Sequence, residues 1–287
     1  MIKKGIILAG GKGTRMSPLT KAVNKQLLPI HDKPLIFYPL SILMLAGIKE
    51  VLIIVNQGQL EQYKKIIPDG KNFGMKINYI EQKNPNGLPE AFILGEEFIK
   101  NQNVCLILGD NFFYGQNLTK ILRSCTKLKN GAKVLLHRVN KPENFGVAKV
   151  IGKKIKNIKE KPKKFVSDLA ITGLYFFDKK VCRFAKQLKP SKRGEIEIVD
   201  LLNKYLKDKK LSAELIGRGG AWLDTGSIDD FYKTSAFVSA IENRQGFKIA
   251  CLEEIAFNNK WINKKQLLRA VKFYGNCAYS NYIKKLI

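Results

Sequence analysis

The chain has 287 residues, 45% of them hydrophobic, enough to bury a large core in one elaborated α/β domain or two small ones. Five cysteines (105, 125, 182, 251 and 277), widely spaced and without a Cys-x-x-Cys, together with two histidines, exclude a zinc site or disulfide framework and predict reduced thiols in the cytoplasm. The net charge of +27 comes from 43 lysines and 8 arginines spread along the chain, a solvated surface that attracts anions but lacks the arginines and interleaved aromatics of specific nucleic-acid binding.

Residues 5–9, Gly-Ile-Ile-Leu-Ala, form a short apolar run bounded by glycines and predict a buried strand. The two lysines before it are followed by too short an apolar stretch for a signal peptide, and no run approaches the length of a membrane span. Gly10, Gly11 and Gly13 then allow positive φ and close approach of backbone N–H groups to a ligand, while Lys12, Thr14 and Arg15 add cations and a hydroxyl. Strand, glycine loop and cations together describe a phosphate cradle; the plainer alternative is a tight turn with solvated charges. Met16 stands where a dinucleotide fingerprint needs its third glycine, and Gly11 where a P-loop needs its lysine, so neither of those loops is present.

Prolines 18, 29 and 34 make the next stretch extended and stiff, which suits Lys25 if it must hold one place over a phosphate. A helix is predicted over 35–46, stopping at Gly47, followed by a buried strand at 51–55 and a helix at 58–67. A strand at 76–82 leads into the turn-rich loop 84–88, and Pro89 opens a helix running to about 100. The strand at 104–108 ends on Gly109-Asp110-Asn111. Strands alternating with helices predict a doubly wound parallel sheet, with residues 10–15, 82–88 and 109–111 together beyond the carboxyl ends of its strands.

The second half changes character. Closely spaced strands at 132–140, 145–151, 154–160 and 170–177 predict inserted antiparallel strands, followed by helices at 179–187 and 197–206 and a strand at 211–216. The run 222–226, Trp-Leu-Asp-Thr-Gly, reads as a compact turn, after which Ser227 caps a long helix to about 243. Short helices at 252–258 and 263–272 and a final amphipathic piece complete a C-terminal helical extension, 245–287, beyond an α/β domain of 1–244. Within that domain the change in strand pattern separates a first part, about 1–115, from a second, about 130–226.

With these residues in hand, the chain resembles the sugar-1-phosphate nucleotidylyltransferases, and their thymidylyl branch most. The resemblance rests on Leu8-Ala-Gly-Gly-Lys-Gly-Thr-Arg15, Lys25-Gln-Leu-Leu-Pro29, Leu108-Gly-Asp-Asn111, Glu160-Lys-Pro162, Thr172-Gly-Leu-Tyr175, Arg193-Gly-Glu195, Trp222-Leu-Asp-Thr-Gly226 and Arg244-Gln-Gly246, in order over nearly the whole chain. It implies a Rossmann-like α/β fold with a nucleotide-binding part at about 1–115 and a sugar-phosphate part at about 130–226, a homotetramer, and a Mg²⁺-dependent reaction of dTTP with glucose 1-phosphate giving dTDP-glucose and pyrophosphate, the opening step of dTDP-deoxysugar synthesis. The sugar phosphate is already an anionic nucleophile, so a histidine-poor chain suffices for such chemistry; positioning, cations and metal do the rest.

Carried over by position, the resemblance puts Leu8, Gly10, Gly11, Gly13, Thr14 and Arg15 around the nucleotide's phosphates, and Lys25 over the α-phosphate and leaving group. Gln82 and Gly87 would read the base, Lys161 would bind the sugar's phosphate, and Gly146, Glu160 and Thr172 or Tyr175 would hold the hexose. Asp110 and Asp224 would hold Mg²⁺; read singly, one is a strand-end acid and the other a helix-preceding cap. The chain departs from the family pattern at Pro89-Glu90 for Ala-Gln, Asn144-Phe145 for Arg-Tyr, Val199 for threonine and His31 for tyrosine, none of them a presumed phosphate or metal ligand. Two other readings stay open at this point: a relative using UTP or another sugar phosphate, and a non-catalytic regulatory or nucleic-acid-binding module on the same fold.

Overall fold

The computed structural model describes residues 1–152, 154–191 and 194–287. It begins with β1 (Lys4–Ala9), three 3-10 turns at 14–16, 19–21 and 25–27, a small hairpin of β2 (Pro29–Ile30) and β3 (Lys33–Pro34), and α1 (Phe37–Leu45). Next come β4 (Glu50–Asn56), α2 (Leu60–Ile66), β5 (Lys76–Gln82), α3 (Glu90–Leu94), α4 (Glu96–Ile99), β6 (Val104–Leu108), β7 (Asn111–Gly115) and α5 (Leu118–Cys125). The second half holds β8 (Ala132–Arg138), β9 (Gly146–Ile151), β10 (Lys154–Glu160), β11 (Leu169–Phe177), α6 (Val181–Lys186), α7 (Ile198–Lys207), β12 (Leu211–Leu215) and β13 (Gly220–Asp224). Four helices finish the chain: α8 (Ile228–Gln245), α9 (Leu252–Asn258), α10 (Lys264–Tyr274) and α11 (Ala278–Lys284).

The continuous apolar runs become central strands because both faces of the sheet are covered. β5, β4, β1 and β6 lie side by side in parallel, with Ile6 opposite both Leu52 and Leu106. Ile7, Ile53 and Ile107 pack on one side with α1, α5 and α9–α11, whereas Ile6, Leu52 and Leu106 pack on the other with α3, α4, α6 and α7. β11 runs antiparallel beside β6; β8 and the β9–β10 hairpin attach to β11, and β12 lies parallel to β8. The expected parallel core with added antiparallel strands is therefore the fold. The chain steps outward from β1 to β4 and β5, then crosses back to β6 on the other side of β1, which opens a crevice beyond the ends of β1 and β6.

Three elements differ from expectation. The helix after Pro89 breaks at Gly95, which lies against the sheet: a Cβ there would come within 3.1 Å of Ile6 and 3.2 Å of Leu52. Residues 111–115 and 220–224 pair as an antiparallel two-stranded ribbon that sets Asn111 opposite Asp224, where a compact turn is expected at 222–226. Helix α5 was not foreseen. Among the described residues no helix is long and apolar enough to cross a membrane.

Candidate active site

The glycine loop leaves β1 into the crevice. Gly11 has φ +104° and Gly13 φ +59°, backbone that side-chain-bearing residues rarely adopt. Asn56, at the end of β4, clamps the loop from both sides: its Oδ1 accepts from the Gly11 N–H at 2.9 Å and its Nδ2 donates to the Gly11 carbonyl at 2.9 Å. Thr20 Oγ1 donates to the Gly13 carbonyl at 2.8 Å. Arg15 swings across to Gly226, where a Cβ would come within 2.8 Å of its guanidinium, so that glycine is the seat of the arginine.

Asp110 follows β6 on the same edge. Lys25 Nζ forms an ion pair with its Oδ2, and both side chains are largely sheltered, 12% and 18% exposed. The lysine is held by a 3-10 turn capped by Asn24, whose Oδ1 accepts from Gln26 N–H at 3.0 Å. Asn111 Nδ2 donates to Asp110 Oδ1 at 3.0 Å, while Asn111 Oδ1 accepts from Gly173 N–H at 3.0 Å and Trp222 Nε1 at 2.6 Å. The Asp110 carbonyl accepts from both the N–H and the hydroxyl of Thr225, at 3.1 and 2.8 Å. These bonds and the β7–β13 ladder bring Asp224 up beside Asp110. Burial, reinforced by the neighbouring Asp110 charge, pushes the Asp224 carboxyl well above the usual range. Burial acts on Asp110 in the same sense, but Lys25 outweighs it and the net shift is downward.

Two adjoining chambers share Leu88 and Glu195 in their walls. The larger, about 380 Å³, is lined by Arg15, Asp110, Asp224, Gly146, Glu160, Lys161 and Tyr175. Glu160 lies across from Gly146 in the β9–β10 pairing, where a Cβ would stand 3.0 Å from Glu160 Oε2. Lys161 has φ +38° and donates its N–H to the Phe145 carbonyl at 3.0 Å. The smaller chamber, about 160 Å³, is lined by Leu8, Gly10, Gly11, Gln82, Pro85 and Gly87. Gly87 (φ +120°) bridges to Ile196, whose carbonyl a Cβ would meet at 2.2 Å, so the loop closes on Ile196 only with glycine there. Neither histidine lines either chamber.

Of the residues singled out from sequence, these chambers and the Lys25–Asp110 pair collect most. Gly13 and Thr14 shape the loop without lining a chamber. Thr172 is fully buried and its hydroxyl donates to the Leu135 carbonyl at 3.0 Å; of the pair Thr172 and Tyr175, the tyrosine is the one at the cavity. Arg193 lies outside the described residues. Sequence reasoning gave no role to Asn56, Asn111, Thr225 or Gly226, although each stands at a strand end or beside a singled-out acid. Gln26 is 1% exposed, and its Oε1 has no hydrogen-bond partner among the described residues.

The donor chemistry suits Mg²⁺. Asp110 and Asp224 offer oxygen alone, the donor that Mg²⁺ prefers, and one or two carboxylates together with substrate phosphates would suffice to hold it. The raised Asp224 carboxyl marks a place where a cation relieves repulsion. Among the described residues one larger grouping exists, His31, Asp32 and Glu242, but there Lys33 and Lys248 pair with both carboxylates, whereas Lys25 pairs with Asp110 alone of the two acids here.

A family model described as nucleotidyl transferase matches residues 4–241. A glucose-1-phosphate thymidylyltransferase from Neisseria gonorrhoeae is 50% identical over 285 residues, covering 99% of each chain. One from Xanthomonas campestris is 46% identical, covering 99% of this chain and 97% of its own. A Bacillus anthracis crystal structure assigned to the same enzyme superposes with a TM-score of 0.76 at 39% identity, over 82% of this chain and 94% of that one. UDP-glucose pyrophosphorylase bound to UDP-glucose superposes with a TM-score of 0.74 at 29% identity, over 85% and 100%. With that family model over most of its length and relatives 46–50% identical over nearly all of it, the chain belongs to the nucleotidyl transferase family, among its glucose-1-phosphate thymidylyltransferases.

Proposed function

We propose that the chain transfers a thymidylyl group from dTTP to glucose 1-phosphate, forming dTDP-glucose and pyrophosphate. The observation that carries this reading is the junction of two chambers at one set of charges: a small one walled by the glycine loop and Gln82, a larger one walled by Glu160 and Lys161, with Arg15, Lys25, Asp110 and Asp224 at or beside their junction. Gln82 and Gly87 read the base, and the loop from Gly10 with Arg15 receives the triphosphate. Lys161 binds the phosphate of the sugar, with Gly146, Glu160 and Tyr175 around the hexose. Burial raises the Tyr175 phenol, which stays neutral and able to donate to a sugar hydroxyl.

A phosphate oxygen of glucose 1-phosphate attacks the α-phosphorus as the bond to the β-phosphate breaks in line, and pyrophosphate leaves. Lys161 and Lys25 hold the two anions together, and Lys25 meets the charge that grows on the leaving group. Asp110 and Asp224 would hold Mg²⁺, which when bound would neutralise phosphate charge. No general base is required, in keeping with chambers that no histidine lines. We place the protein in the cytoplasm as a homotetramer.

Pyrophosphate release with dTTP and glucose 1-phosphate tests the reading, with UTP in parallel because uracil presents the same hydrogen-bonding edge. Turnover that needs both substrates and stops in excess chelator is expected. Full activity in chelator removes the metal assignment, and no turnover with either nucleotide removes the reaction.

A further inference from the structure

Gln82 ends β5 and is 3% exposed, with its amide in the wall of the smaller chamber. The two ends of an amide have nearly the same shape, so its orientation follows from its partners. Here Nε2 donates to Glu90 Oε2, and an ionised carboxylate can only accept. Oε1 is therefore turned the other way, against Gly10, where a Cβ would come within 2.5 Å of it. Among the described residues nothing donates to that oxygen. Glu90 is itself held, its Oε2 accepting from Asn86 N–H at 3.1 Å and its Oε1 from Asn86 Nδ2 at 2.8 Å. It is also the first residue of α3, directly after the fixed backbone of Pro89.

A pyrimidine with two ring carbonyls, thymine or uracil, presents an N3–H donor between two acceptors. Cytosine presents a bare N3 acceptor beside an amino donor. An amide that offers Oε1 and its second Nε2 hydrogen matches the first edge; the reversed amide matches the second. We propose that Glu90 is a positioning residue for base selection, pinning the Gln82 amide in the orientation that takes thymine or uracil and turns cytosine away. The inference rests on the reading of Gln82 as the residue that meets the base. A glutamine at this position could meet either end of Gln82, whereas the carboxylate of this chain can meet one.

The test compares kcat/KM for dTTP and dCTP, with glucose 1-phosphate as acceptor, in the full chain. Glu90→Ala is expected to lower the dTTP to dCTP ratio by about tenfold, the worth of one hydrogen bond left facing the wrong partner, and to act mainly through the nucleotide KM. In a Gln82→Ala background the same change is expected to leave the ratio alone, because the residue acts through that amide. A parental ratio in folded Glu90→Ala overturns the proposal, as does an equal loss in both backgrounds. If Glu90→Ala does not fold, the isosteric Glu90→Gln makes the comparison, since an amide at 90 permits both orientations of Gln82. Parental use of dTTP by Gln82→Ala removes the base-reading assignment itself; an impaired Gln82→Ala beside a parental Glu90→Ala removes the positioning role alone.

Discussion

Lys25 and Lys161 carry the same charge on differently built backbones. Lys25 stands in a capped turn with its ammonium already on Asp110, whereas Lys161 is exposed at a positive φ beyond the end of β10. A cation fixed before the substrate arrives serves a charge that appears in the transition state. Lys25→Ala is therefore expected to lower kcat by about 10²-fold with little change in KM. Lys161→Ala is expected to raise the KM for glucose 1-phosphate by about tenfold, as for a lost charge-assisted hydrogen bond. Steady-state kinetics with each substrate varied separates them, and identical patterns defeat the division. The glycine loop was readable as a phosphate cradle from its residues alone, whereas the lysines and acids were singled out through the family resemblance, since one lysine among 43 or one strand-end acid has many uses. Asn56, Asn111 and Glu90 were legible in neither way, because each works through a partner that only folding supplies: the loop after β1, the ribbon strand β13, and the last residue of β5.

At the scale of elements, the apolar strands and their helices were readable wherever burial is two-sided and the run is bounded by glycine or proline. The β7–β13 ribbon was not. Its two strands stand about a hundred residues apart, and Trp222-Leu-Asp-Thr-Gly226 carries the turn-forming residues of a loop as well as the side chains of a strand. Where that ribbon ends, Ser227 starts α8: its Oγ accepts from the Asp230 N–H at 3.1 Å and donates to Asp230 Oδ2 at 2.6 Å. Losing such a cap costs about 1 kcal/mol. Ser227→Ala is expected to lower the melting temperature by about 2–4 °C, and Ser227→Asn, which can also cap, to restore it. An unchanged melting curve for the alanine variant rules out the cap as a contributor.

Across the whole molecule, a buried ion cluster fastens the β2–β3 hairpin to the end of α8. Glu242, 6% exposed, meets Lys33 at 3.0 Å and Lys248 at 3.2 Å and accepts from the Ile249 N–H at 2.8 Å; both lysines also pair with Asp32. Removing one partner strands the other charges, at about 3–5 kcal/mol. Glu242→Ala is expected to lower the urea midpoint without altering the slope. Burial pushes the Asp32 carboxyl up, but Lys33 and Lys248 outweigh it and leave it below the usual range. A lowered folded value gives stability that is fully present above about pH 4 and lost as pH falls through the folded value. Urea midpoints of the parent should therefore fall in acid more steeply than those of Asp32→Asn, and parallel acid limbs count against the cluster.

The placement of α9–α11 has a consequence for how the enzyme is made. Every residue assigned to the two chambers lies at or before Asp224, yet the face of α1 and the sheet beneath it are finished by Leu252, Ala256, Leu267, Tyr279 and Ile283. Phe37 on α1 packs edge-on against Tyr279, and Asn259 Nδ2 donates to the Met44 carbonyl at 3.1 Å. The ribosome thus delivers all the chemistry before it delivers the cover. A nascent chain halted near residue 245 has its full set of reactive side chains and a bare apolar flank, the kind of surface that chaperones and proteases recognise. A chain truncated after Gln245 is therefore expected to be lost to aggregation or proteolysis before it turns over substrate.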